Sequence, residues 1–315
     1  MQNYDLAIIG AGAAGLSAAI AAMNKGVKNI IIIEKNSVMG GNLNLFINDG
    51  FGEYYLGKKV TGPELASILI EEYKNYNGNY KTNTQVLDIN SDKIITYINP
   101  DEGIGEIKAK AIIAASGCRE KYTGNIVVPI NKYTGIFTNA VTHRLINYQG
   151  YLPGKEVMLV GNNIWTAILA RRLIIEGAKV KSVMTKFDSF EEKAKKILDS
   201  FNIPTICNSE IVEINGDDRI KGARIKNTKT NKFNTIECDS LVLSVGYLPE
   251  VEYLKGLNLK NKNGFLIHDN NELSFKGIFA CGTITKGRDS LFTSGIEGYE
   301  VGMKVAEYMK KMNWS

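Results

Sequence analysis

The sequence predicts an α/β fold in which one strand–helix–strand plan occurs twice, the second copy inserted within the first. Three observations carry this expectation. Residues 4–10 (Tyr-Asp-Leu-Ala-Ile-Ile-Gly) read as a buried strand ending in glycine, followed by a small-residue helix over about 13–25, a stop at Gly26 and a second buried strand from Asn29 to Glu34. Residues 155–161 (Lys-Glu-Val-Met-Leu-Val-Gly) repeat the plan, with a helix over about 163–176, a stop at Gly177 and a strand over 179–185. Each copy then reaches an apolar strand closed by glycine, Ala111 to Gly117 in one and Ser240 to Gly246 in the other. A strand, a crossover helix and a strand form the unit of a parallel sheet.

The elements between these landmarks follow the same order in both copies. Thr84 to Ile98 and Gly105 to Lys110 read as short alternating strands joined by turns at Asn90-Ser91-Asp92 and Asn99-Pro100-Asp101. Ile211 to Ile214, Gly222 to Asn227 and Phe233 to Glu237 take that part in the second copy. After Gly246 come a short buried strand within Gly277 to Gly282 and a helix over about 295–311, where Ser294 and Glu297 have the spacing of a capping box. This last section is too small for a domain and is expected to complete the first. Two Rossmann-like, three-layer domains result: 1–121 with 247–315, and an inserted 122–246.

Composition narrows the function classes. At ~150 residues per domain, 315 residues suit about two domains. A hydrophobic fraction of 44% is enough to build cores, which argues against disorder. The net charge is only +5 and the basic pairs Lys58-Lys59, Lys195-Lys196 and Lys310-Lys311 are scattered, so no nucleic-acid stripe is expected. No apolar run is long enough to span a bilayer, and the N-terminus lacks a basic region before its apolar stretch, so neither a membrane span nor a secretory signal is expected. Cys118, Cys207, Cys238 and Cys281 lie far apart without a Cys-x-x-Cys. That spacing predicts no metal site, no adjacent redox dithiol and a reducing, cytoplasmic compartment.

The chemistry-bearing motif is Gly10-Ala11-Gly12-Ala13-Ala14-Gly15. It follows a strand, opens a helix and has Glu34 at the end of the next strand, the context of a dinucleotide fingerprint. Gly10 permits the tight turn, Gly12 lets a pyrophosphate approach the backbone, and Gly15 lets the helix pack on the sheet. The helix N-terminus offers free N–H donors to phosphate. Glu34 suits adenosine ribose hydroxyls and repels a 2′-phosphate. The alternative is a glycine-rich turn in a ligand-free unit.

These residues, with Met39-Gly40-Gly41, Ala115-Ser116-Gly117-Cys118-Arg119 and Ile278-Phe279-Ala280-Cys281-Gly282, resemble the two-dinucleotide-binding-domain flavoproteins, the pyridine nucleotide-disulfide oxidoreductases of thioredoxin reductase type. Asn48-Asp49-Gly50-Phe51-Gly52 with Thr61-Gly62-Pro63-Glu64, and Arg144-Leu145-Ile146-Asn147 with Gly150-Tyr151-Leu152-Pro153-Gly154-Lys155, are similar to segments of the FAD-dependent oxidoreductases that accompany bacterial glycerol-3-phosphate or 2-hydroxyacid dehydrogenases. The resemblance implies FAD in the first domain. It places Gly10, Gly12, Ala13, Ala14, Gly15, Glu34, Lys35 and Val86 in the binding set with the ADP half. Gly40, Gly41 and Asn42, and Ala115, Ser116 and Gly117, belong to the same set. Gly282 and Thr283 approach the ribityl-pyrophosphate, and Gly295 and Ile296 open a helix aimed at the flavin pyrimidine edge. A positive helix end there stabilises an anionic reduced flavin.

Departures from the family pattern shape the expected function. Thr283 stands where many members have Asp, and the second domain has no Cys-x-x-Cys to relay electrons to a disulfide. Phe46 and Asn48 stand where near relatives often place Cys and His, so no thiol or imidazole acid is expected beside the flavin. Asn48, Tyr54 and Tyr55 remain as catalytic candidates, since a phenol there would orient a substrate. His143 and His268 read as structural or surface histidines, and Cys118 and Cys281 as buried, inert thiols.

The second motif, Gly161-Asn162-Asn163-Ile164-Trp165-Thr166, keeps only its first glycine. Asn163 stands where bare backbone meets a pyrophosphate, and Thr166 where helix packing wants no side chain. The next strand ends Met184-Thr185-Lys186, without a carboxylate for an NAD ribose, and Lys186 alone is a poor 2′-phosphate site. The expected function is therefore an FAD-dependent oxidoreductase or flavin electron-transfer subunit that does not use NAD(P)H. It would act on a small molecule or exchange electrons with a ferredoxin or partner flavoprotein subunit, as a homodimer or hetero-oligomer. The alternatives are an NAD(P)H-dependent flavin reductase with a divergent loop, and a non-enzymatic flavin-binding scaffold.

Overall fold

The computed structural model describes residues 1–122, 132–287 and 292–312. It divides into two compact units, Met1–Arg119 with Tyr247–Ser315, and Glu120–Gly246.

The first unit opens with β1 (Gln2–Ile9), α1 (Ala13–Asn24) and β2 (Ile30–Ile33). All four isoleucines of β2 are buried, and a continuous β-branched run of this kind fits a strand covered on both faces. A 3₁₀ turn (Gly41–Leu45), α2 (Glu53–Leu56) and α3 (Gly62–Asn75) lead to β3 (Asn79–Lys81). A full capping box starts α3: Glu64 N–H donates to Thr61 Oγ1 at 3.4 Å, and Thr61 N–H donates to Glu64 Oε2 at 2.8 Å. Thr61→Ala is expected to cost about 1 kcal/mol, read as a lower urea midpoint with an unchanged slope.

Next come β4 (Gln85–Ile89), β5 (Ile94–Asn99), β6 (Gly103–Ala114) and β7 (Cys118–Glu120). The separate strands expected at 105–110 and 111–117 are one strand, β6. Its first half alternates because one face is open; its second half is apolar because it lies inside the sheet between β1 and a later strand.

The second unit contains β8 (Ile136–Thr138), α4 (Asn139–Gln149), β9 (Glu156–Val160), α5 (Ile164–Ile175), β10 (Lys179–Met184), α6 (Glu192–Ser200) and β11 (Thr205–Ile206). It continues with β12 (Ser209–Gly216), β13 (Ile220–Asn227), β14 (Phe233–Glu237) and β15 (Ser240–Leu243). Its parallel sheet runs β11-β10-β9-β15-β8, and β12-β13-β14 form a separate antiparallel sheet.

The chain returns to the first unit through β16 (Tyr247–Pro249), the short strands β17 (Asn261–Lys262), β18 (Phe265–Leu266), β19 (His268–Asp269) and β20 (Glu272–Leu273), then β21 (Ile278–Ala280), α7 (Thr283–Lys286) and α8 (Ser294–Lys311). The first sheet runs β19-β20-β21-β6-β1-β2-β3, with the β4–β5 hairpin paired to β6. Helix α8 lies directly on α1. A Cβ at Gly298 would stand 2.1 Å from Ala14 O, and one at Gly302 2.2 Å from Ala18 O, so the backbones meet without side chains between them. The capping box expected at Ser294 and Glu297 does not form. The N-cap is Thr293, whose side chain makes no capping bond, and Glu297 is buried in the first turn, 3.3 Å from Thr285 Oγ1.

Candidate active site

The carboxyl ends of β1 and β6 and the N-termini of α1 and α8 converge in the first unit. At Gly10, φ is +106° and a Cβ would lie 2.5 Å from Ala115 O; at Gly15 it would lie 1.9 Å from Gly10 O. Bare backbone at both positions lets the turn close and α1 approach the strand. Gly12 differs. Nothing lies within 4 Å of its Cβ position, so the backbone is open on that side at the helix N-terminus. A Cβ at Gly41 would stand 3.0 Å from Gly12 Cα, and Gly40 N–H donates to Ala11 O at 2.7 Å. Asn44 Nδ2 donates to Met39 O at 2.8 Å and shapes this second glycine turn. Gly282 lies against Ala14 and Ser294, and Gly117 lies 3.3 Å, by its Cβ position, from Thr283 Oγ1. The structure thus brings Gly10, Gly12, Ala14, Gly40, Gly41, Ala115, Gly117, Gly282 and Thr283 into one cradle.

Glu34 is buried at its rim. Its carboxylate accepts from Ala11 N–H at 2.9 Å, Asn36 N–H at 2.8 Å and Asn36 Nδ2 at 2.7 Å. These bonds spend part of its accepting capacity on the turn itself. Lys35 pairs with Glu250 at 3.3 Å, and Glu250 also holds Arg119 at 2.9 Å. Ser116 Oγ donates to Glu250 O at 2.7 Å and meets Tyr253 Oη at 2.9 Å, so its hydroxyl braces the cradle from behind. Sequence reasoning missed Asn36, Asn44, Glu250 and Tyr253; the partners 134 and 137 residues from Ser116 left no local signal. Ala13 is buried in α1, Val86 is buried in the first unit's core, and Asn42 and Ile296 are exposed.

The catalytic candidates are less free than expected. Tyr54 Oη bonds Ser17 Oγ at 2.9 Å and sits on Gly295, whose Cβ position is 1.9 Å away. Burial pushes this phenol's pKa up, so it acts as a packed hydrogen-bonding group. Tyr55 donates to Glu72 on α3; burial and the neighbouring carboxylate push its pKa up too. Asn48 Nδ2 donates to the adjacent Asp49 O at 2.9 Å. Around Asn48, Phe51 packs on Phe46 and Phe292 with ring centroids 6.3 and 4.9 Å apart.

Cys118 corrects the expectation of a buried thiol. It is half-buried and donates to Thr283 O at 2.8 Å. Cys281 is buried, and Cys238 is pushed by burial up to about 12. Alkylation at pH 8 is expected to modify Cys118 and Cys207 first and to spare Cys238 and Cys281, as read by peptide mass mapping. The folded chain keeps the Cys238 proton while the unfolded chain loses it near pH 8.5, so stability falls as pH rises above that value. His143 is buried on α4, and His268 Nδ1 accepts from Asn271 N–H at 3.1 Å. Among the described residues no cluster of metal-binding side chains exists.

In the second unit the loop after β9 is filled by protein. Asn163 Oδ1 accepts from both Thr166 N–H and Thr166 Oγ1 at 3.1 Å, capping α5. Thr166 Oγ1 stands 2.4 Å from the Cβ position of Gly161. Asn162 O accepts from Glu191 N–H at 3.1 Å. At the end of β10, Thr185 Oγ1 accepts from Phe187 N–H at 3.2 Å, and the Lys186 ammonium lies over the Phe187 ring at 5.4 Å.

A model of the pyridine nucleotide-disulphide oxidoreductases matches residues 4–306. The chain belongs to that family. It is similar to a 34.2 kDa protein of the rubredoxin operon of Clostridium pasteurianum, at 25% identity over 97% of both chains. The ferredoxin–NADP reductase of Picrophilus torridus is 24% identical over 90% of this chain and 86% of its own. The crystal structure of T. acidophilum thioredoxin reductase superposes with a TM-score of 0.82 at 24% identity, covering 98% of this chain and all of the other. The α/β architecture of that fold is the one described above. Like its family, this chain is an FAD-dependent oxidoreductase. The open face of Gly12 beside the α1 N-terminus suits the FAD pyrophosphate, and no described helix is long and apolar enough to cross a membrane.

Proposed function

We propose that this flavoenzyme passes electrons between its FAD and a redox protein or small molecule without NAD(P)H. The observation that carries the reading is Asn163. In the first unit, Gly12 leaves the helix N-terminus open; in the second, the Asn163 carboxamide occupies the donors that a pyrophosphate would use. Thr166 fills the space against Gly161, and Thr185 is tied to its own loop. Gly10, Gly12, Gly15 and Glu34 would hold the ADP half of FAD, Gly282 and Thr283 the ribityl-pyrophosphate, and the flavin supplies the redox chemistry. The names of two relatives support a protein partner: one is encoded in a rubredoxin operon, and the other is a ferredoxin–NADP reductase, whose name equally favours the NAD(P)H-dependent alternative. The narrower likeness of residues 48–52, 61–64 and 144–155 makes a dehydrogenase-type flavoprotein subunit the other candidate, in a homodimer or hetero-oligomer. Four free cysteines suit a cytoplasmic setting.

Calorimetric titration of the FAD-loaded protein with NADH and NADPH tests this. The expected dissociation constants are millimolar or weaker. The double variant Asn163→Gly, Thr185→Glu should bind NADH about tenfold more tightly, the equivalent of one good hydrogen-bonded contact. Micromolar binding by the natural protein would favour an NAD(P)H-dependent reductase with a divergent loop.

A further inference from the structure

The first unit has a second polar recess, far from the cradle. A groove of about 390 Å³ lies at the amino end of β1 beside the middle of β6, lined in part by Asp5, Asp92, Lys93, Lys108 and Lys110. The cradle is at the other end of β1; the six residues from Tyr4 to Gly10 span about 20 Å.

The groove's charges are unevenly paired. Lys110 is bound to Asp5 at 2.8 Å. Lys93 and Lys108 form no ion pair with any described residue. Two ammoniums therefore face one remaining carboxylate, Asp92. Lys93 is half-buried, with Cε 3.7 Å from the Cβ position of Gly277.

The Lys93 backbone carries a further signal. It has φ +58°, and every other non-glycine described residue at positive φ is asparagine. The β4–β5 turn imposes this conformation: Asn90 Oδ1 accepts from Asp92 N–H and Ile94 N–H at 3.0 Å each, and Lys93 N–H donates to Asn90 O at 3.0 Å. Left-handed backbone is tolerated by Gly and Asn and resisted by long side chains. A lysine at this position is worse for the turn than the asparagine at every other non-glycine positive-φ position among the described residues, so the turn does not account for its presence.

We propose that Lys93 and Lys108 form a binding site for a small multivalent oxyanion of phosphate type, separate from the cofactor cradle. Two ammoniums without an ion pair among the described residues supply point charges suited to phosphate oxygens, and both side chains line the one recess.

The test is calorimetric titration of the FAD-loaded protein with inorganic phosphate, pyrophosphate and ADP at constant ionic strength. Saturable binding is expected. Tighter binding of pyrophosphate than of ADP identifies a free anion, and the reverse identifies a phosphorylated organic ligand. Lys93→Asn and Lys108→Gln should each weaken binding about tenfold, and Asp92→Asn should tighten it. Without ligand, Lys93→Asn should raise the melting temperature, because it relieves the turn. Unchanged affinity in Lys93→Asn, absence of saturable binding, or a lower melting temperature in Lys93→Asn would overturn the proposal.

Discussion

Gly15→Ala is expected to yield a protein that unfolds at much lower temperature and retains no FAD. The added methyl would stand 1.9 Å from Gly10 O and 3.3 Å from Ile8 Cγ2. The obstacle is main chain at the glycine turn, so α1 as a whole must move away from β1. Overpacking of this kind costs about 1–3 kcal/mol or more, and here the displaced helix N-terminus is also the phosphate site. The same displacement breaks the seat of α8, because Gly298 rests on Ala14 and Gly302 on Ala18. Thermal unfolding and the flavin-to-protein absorbance ratio of the purified variant check both halves.

Gly12→Ala should give the opposite pattern: a stable apoprotein that binds FAD poorly. Gly12 has φ −80°, which alanine adopts freely, and no protein atom lies within 4 Å of the new methyl. The methyl instead projects into the space where the pyrophosphate must approach. The melting temperature of the apoprotein should match the natural one within a degree or so. The FAD dissociation constant should rise by about a hundredfold, the loss of close phosphate contacts worth ~3 kcal/mol. Equal loss of stability and of FAD in both variants would show that Gly12 is a packing residue.

The contrast between these glycines marks what the sequence made legible. Strand–turn–helix chemistry is local. Four consecutive isoleucines, a glycine turn and a helix of alanines announce β2, Gly10 and α1 within thirty residues, and the α/β fold follows from two such runs. Distant partners leave no such trace. Ser116 has a place in the cofactor set expected from the sequence, which carries no sign that Glu250 O and Tyr253 Oη hold its hydroxyl. Tyr54 looks like a substrate-facing phenol until α1 supplies Ser17 and α8 supplies Gly295. Spacing alone also misplaced the capping box: Ser294 and Glu297 have the offset, but α8 begins at Ser294 itself, whereas Thr61 lies one residue before α3 and caps it. The division of β6 into two strands failed for a similar reason. A change from alternating to continuous apolar residues marks a change of surroundings along one strand as readily as a chain break.

We propose that FAD is held in the first unit and that NAD(P)H is not its reductant. On that proposal the cap that Asn163 forms with Thr166 keeps a second pyrophosphate out, so neither nucleotide should reach a reactive position. Anaerobic stopped-flow reduction, followed by flavin absorbance, measures this directly. Complete bleaching by dithionite is expected, with slow, unsaturable change or none with NADH and NADPH. Rapid, saturable bleaching by micromolar NADH or NADPH would contradict it.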